Sequence, residues 1–63
     1  MIKPEIGKSY NIGSYENFRF LLIARDVTQN IHFIFANDKE NFVISKDEWY
    51  SVDWQKVIRP TGA

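Results

Sequence analysis

The sequence predicts an all-β domain of five short antiparallel strands, and three observations carry that expectation. Residues 17–25 and 30–36 keep apolar side chains at period two, with Phe18, Phe20 and Leu22 in the first run and Phe33 and Phe35 in the second. Side chains that alternate across the backbone in this way mark a strand. Both runs are rich in aromatic and branched residues, which fit a pleated surface better than a helix. Polar clusters at 26–30 and 37–41 then interrupt the apolar stretches at hairpin spacing.

Taken in order, Pro4 and Gly7 supply turn chemistry, and residues 8–12 read as a first strand with Tyr10 and Ile12 on one side. Gly13 and Ser14 close it. Residues 16–25 form the longest strand. A helix competes there, but Phe and Ile suit helices less well and no capping residue precedes the run. After the polar turn at 26–30, residues 31–36 make a third strand, hairpin-paired with the second. Phe42, Val43 and Ile44 follow as the fourth. Ser45, Lys46, Asp47 and Glu48 match a capping box, in which the Ser oxygen accepts from the third helical amide. One short helical turn is therefore expected near residues 46–50, before Ser51, Val52 and Asp53 interrupt it. Residues 55–59 are the last strand, stopped by Pro60, so that 1–60 form one domain and 61–63 a frayed tail.

Strand, long strand, strand, strand, helical turn and short strand is the element order of a small SH3-like barrel. The opening Lys3-Pro4-Glu5-Ile6-Gly7-Lys8-Ser9-Tyr10 resembles that of small bacterial and phage-type domains of this group. The resemblance implies a strongly bent, five-stranded antiparallel barrel that works by binding rather than catalysis. The acidic loop and paired-aromatic groove of peptide-binding SH3 domains are not recognisable in the sequence, so proline-rich recognition is not implied.

Composition narrows the function classes. Sixty-three residues allow one compact core. Eight basic and eight acidic residues cancel, which removes the usual electrostatic drive toward non-specific nucleic-acid binding and argues equally against a nucleic-acid mimic. Without cysteine the core must stabilise the fold unaided, a composition that suits a reducing cytoplasmic interior. The apolar runs at 20–24 and 33–36 are far shorter than a membrane-spanning helix, and the first residues lack a signal-peptide pattern. No membrane association is expected.

Catalysis finds little support. His32 is the lone histidine, and as a general base it would need a nucleophile or positioned acid that the sequence does not place beside it. One histidine without cysteine does not make a zinc site, and Asp38 and Glu40 lack the glycine and terminal glutamate of a calcium loop. No cofactor, metal or small-molecule substrate is expected, since a pocket of about 300 Å³ would consume too much of so small a core.

The sharper question is what covers the second face of the long strand. If Phe18, Phe20, Leu22 and Ala24 face the core, strict alternation puts Arg19, Leu21, Ile23 and Arg25 on the other side, beside His32, Ile34 and Val43. An aliphatic centre with a polar rim is the anatomy of a protein interface. The competing account is that sheet curvature tucks Leu21, Ile23 and Ile34 into a second core layer. A second candidate is the aromatic cluster of Trp49, Tyr50 and Trp54, which serves either as a hot spot or as a lid on the core, with one tryptophan expected buried and the other partly exposed. The acidic residues between 38 and 53 read as solvated turns and helix N-terminal charge.

The expectation is a non-catalytic protein-binding module, of a size that suits a phage or mobile-element accessory protein inhibiting a host protein by surface binding. Self-association as a homodimer or structural oligomer is the near variant. A different class is a nucleic-acid-binding barrel using Lys8, Arg19, Arg25, Lys56 and Arg59 with exposed aromatics.

Overall fold

The computed structural model describes residues 1–61 and contains seven elements. Strands β1 (Ser9–Ile12), β2 (Tyr15–Arg25), β3 (Ile31–Ala36), β4 (Asn41–Ser45) and β5 (Ile58–Pro60) form one antiparallel sheet in the order β4-β3-β2-β1-β5. Helices α1 (Lys46–Trp49) and α2 (Val52–Gln55) lie between β4 and β5. The all-β class, the five strands and the helical turn at Ser45 agree with the sequence expectation. The barrel does not close by pairing: β4 and β5 are the two edges and share no ladder among the described residues. No helix among them is long and apolar enough to cross a membrane.

Two element boundaries differ. Residues 55–57 are not strand: Gln55 ends a second helical turn, which Ser51 caps as Ser45 caps the first, each hydroxyl accepting the amide three residues on. The Ser51-Val52-Asp53 segment thus starts a helix where an interruption was expected, because Ser and Asp at a break are also cap chemistry. At the chain's end, the Thr61 amide donates to the Ser9 carbonyl at 3.0 Å, while Gly62 and Ala63 of the expected tail lie outside the described residues.

The core is an aromatic array on the inner face of the sheet. Tyr10, Phe18, Phe20, Phe33 and Phe35 come from β1, β2 and β3, Ile44 and Ile58 from the edges, and Trp49 from α1. Phe35 lies at the centre, stacked on Phe20 (5.0 Å), Phe42 (5.2 Å) and Trp49 (5.1 Å), with Tyr10 edge-on at 6.3 Å. Rings in stacked and edge-to-face contact add about 0.5–1.5 kcal/mol per pair beyond the area they bury. Phe18, Phe20, Phe33 and Phe35 are buried, and Phe42 is half-buried against them.

The N-terminal segment completes the core. Trp49 donates its indole N–H to the Ile2 carbonyl at 2.8 Å, the Ile2 backbone N–H donates to Gln55 Oε1 at 2.6 Å, and Gln55 Nε2 donates to the Trp49 carbonyl at 2.8 Å. Three polar groups at the core's rim thereby satisfy one another. No buried side-chain polar atom among the described residues lacks a partner, as a stable interior requires.

One irregularity decides which side chains face out. Arg19 pairs with Ala36 and Phe20 with Phe35, but the next pair is Leu22 with Ile34, so Leu21 is an extra residue in β2. Such a bulge sets two residues against one and shifts the alternation by one position. It lies where β2 loses its partner on the β1 side: Phe20 still exchanges hydrogen bonds with Gly7 and Lys8, and beyond it the sheet continues as the three strands β2, β3 and β4.

Candidate protein-binding face

Directly paired residues share a face, so the register gives the composition of the outer surface. Leu22 of β2, Ile34 of β3 and Val43 of β4 stand in a row across three strands. Ala24, His32 and Ser45 flank the row on one side, and Arg19, Ala36 and Asn41 on the other. Leu21 adds to the row at the bulge, where it lines an open hollow with Arg19 and Ala36. Leu22 is 46% exposed and Val43 60%, while Ile34 is half-buried between them. Toward β1 and β5 the outer face becomes polar, carrying Ser9, Asn11 and Arg59. Among the described residues, no element covers the apolar part.

The bulge corrects the face drawn from strict alternation. Arg19, Leu21, His32, Ile34 and Val43 do share the outer surface. Ile23 and Arg25 do not: Ile23 pairs with Phe33 and Arg25 with Ile31, which places both on the inner side of the sheet. Both remain exposed, because β1 pairs with β2 only as far as Arg19. Leu22 and Ala24, assigned by alternation to the core, take their places outside. A bulge has no composition signal in a run such as Phe20-Leu21-Leu22-Ile23, where every residue is apolar and either phase looks equally good.

Trp49, Tyr50 and Trp54 do not form a common surface. Trp49 is fully buried and spends its N–H on Ile2, so it is a core residue and no partner contact. Tyr50 packs half-buried with its ring edge toward Phe33. Trp54 is half-buried in α2, against the edge of the core. One tryptophan buried and one partly exposed is the division the sequence suggested.

His32 belongs to the β2–β3 turn. Its Nε2 lies 3.0 Å from Asp26 Oδ2, while Asp26 Oδ1 accepts from the Thr28 amide, the Thr28 hydroxyl and the Asn30 amide. The Thr28 hydroxyl and the His32 ring, then the two amides, hold the Asp26 carboxyl far below the usual carboxylate range. Asp26 went unnoticed as the organiser of this loop, although an Asp opening a polar turn is the standard signal. Nothing in this arrangement gives His32 a nucleophile to activate.

The basic residues are dispersed. Lys8 pairs with Glu5 at 2.6 Å, Arg59 donates to the Lys56 and Ile58 carbonyls, Arg19 lies on the outer face and Arg25 on the far hairpin. No family model, curated protein or solved structure matches the chain.

Proposed function

We propose that the chain is a non-catalytic binding module whose partner is a protein, and that the partner covers the outer row of Leu21, Leu22, Ile34 and Val43. The observation that carries this reading is the bulge at Leu21, which turns an additional leucine outward onto a three-strand surface. Had alternation continued, Leu22 would have joined the core. Instead an aliphatic patch lies in water with Arg19, His32, Asn41 and Ser45 around it, an arrangement typical of protein interfaces. Completing the burial of each half-exposed aliphatic chain is worth roughly 1 kcal/mol.

The strand order, the bulge in the long second strand and the helical turns before the last strand support placing the fold with the SH3-like barrels, in a form open between β4 and β5. A module of this kind acts by occluding a partner's surface, which suits an inhibitor or modulator of a host protein.

The test pairs association with folding. Immobilised wild type and a Leu22→Ser/Val43→Ser variant are compared for proteins retained from the native host's lysate, and both are sedimented across a concentration range. Retention of a specific protein by the wild type alone, with equal unfolding midpoints, supports the proposal. A concentration-dependent mass that vanishes in the variant assigns the face to a second copy of the chain. Identical retention and identical sedimentation of the two proteins reject it.

A further inference from the structure

We propose that the aromatic cleft between β4, the β1–β2 turn and α2 is a second binding site, which takes the lysine or arginine side chain of a basic segment from a partner protein. A cleft of about 360 Å³ lies where β4 and α2 face each other without pairing, and one of about 330 Å³ adjoins it between the β1–β2 turn and α2, the two sharing Ile12, Tyr15 and Trp54. Tyr15, Phe18, Phe42 and Trp54 form their aromatic walls, and Glu40 and Asp53 stand at their rims. Tyr15 is 59% exposed, and its ring approaches Phe18 at 6.1 Å; Phe18 in turn meets Phe42 edge-on at 4.7 Å. The cleft is thus the place where the core's aromatic array opens to water.

The charge pattern chooses the occupant. Two carboxylates border the aromatic walls, and no basic side chain lines either cleft; Lys39 and Lys56, close by in sequence, are not among the lining residues. Ring faces carry partial negative charge and attract a cation within about 6 Å, and carboxylates at the rim add to the same potential. An anionic or purely aliphatic segment would gain nothing from Glu40 and Asp53. A long basic side chain satisfies both parts, laying its methylene stem on the rings and its charge toward a bordering carboxylate, Glu40 at the larger cleft or Asp53 at the smaller. This site is distinct from the outer aliphatic row, with which it shares only the bordering Asn41.

The chain carries its own control, because Trp54 lines the cleft and Trp49 is buried with its N–H bonded to Ile2. The two indole N–H signals are followed by ¹⁵N–¹H spectroscopy during titration with capped Gly-Gly-X-Gly-Gly peptides, X being Arg, Lys or Gln, up to about 10 mM. The Arg and Lys peptides should shift Trp54 saturably and leave Trp49 still, with affinity about threefold or more above that of the Gln peptide. Added salt should shrink that preference in the wild type. Glu40→Gln/Asp53→Asn should abolish it. Absence of any Trp54 response, equal response to Arg and Gln, or a preference indifferent to salt would overturn the proposal; the salt titration decides the matter even if the variant folds poorly.

Discussion

Trp49→Phe measures how far the inner aromatic array and the N-terminal segment depend on one another. The substitution keeps a ring where Trp49 stacks on Phe35 at 5.1 Å but removes the N–H that reaches the Ile2 carbonyl at 2.8 Å. Loss of that bond costs about 1 kcal/mol. The space vacated by the smaller ring costs about 1–2 kcal/mol more in a core that cannot fully collapse around it. Gln55 Nε2, at 3.4 Å, still offers the Ile2 carbonyl a donor, which moderates the first contribution. The total, about 2–3 kcal/mol, is a large share of the roughly 3–9 kcal/mol expected of a domain this size, and lowers Tm by roughly 10–20 °C. Urea unfolding followed by far-ultraviolet circular dichroism reads it. The same change made in a chain beginning at Lys3 should cost about 1 kcal/mol less, since the partner carbonyl is already gone. A loss below about 0.5 kcal/mol, or full additivity of the two changes, would refute the claim that Trp49 fastens the N-terminal segment to the core.

Gln29 holds a φ of 70° in the β2–β3 turn, a left-handed conformation that is costly for a side chain of this kind and free for glycine. Gln29→Gly should therefore raise stability by about 0.5–1 kcal/mol after the extra unfolded-state entropy of glycine is subtracted, and an unchanged or lower urea midpoint would contradict the strain. Asp26 gives a pH signature. Its carboxyl is depressed in the folded chain, by the Thr28 hydroxyl first and the His32 ring next, so its contribution is fully present above about pH 4 and is lost as the pH falls from there toward its folded value. Asp26→Asn should lower the urea midpoint at neutral pH and make its decline in acid shallower than in wild type. Equal acid slopes would disprove the linkage.

Much of the fold was legible in the sequence because local chemistry and the burial pattern agree. Residues 31–36 alternate cleanly and are flanked by polar turns, and β3 occupies the same six positions. The Ser45 cap is equally explicit, since its oxygen accepts from Glu48 as the capping pattern requires. The second helical turn is not legible because Ser51 and Asp53 read equally as a break and as cap chemistry, and a four-residue helix has no periodicity to detect. The site was legible only in part. Arg19, Leu21, His32 and Ile34 were placed correctly on the outer face, whereas Ile23 and Arg25 were displaced by a bulge that long-range pairing dictates and an all-apolar run conceals. The burial of Trp49 depends on Ile2 and Gln55, 47 and 6 residues away in the chain, contacts that no local pattern announces.

The stability of a Leu22→Glu/Val43→Glu double variant tests most directly whether the outer row is spare to the fold. If the bulge has turned these side chains into open water, the urea unfolding free energy stays within about 1 kcal/mol of wild type, as surface substitutions do. A loss of about 3 kcal/mol or more would mean that charges had been forced into a packed layer, and the outer row would then be core.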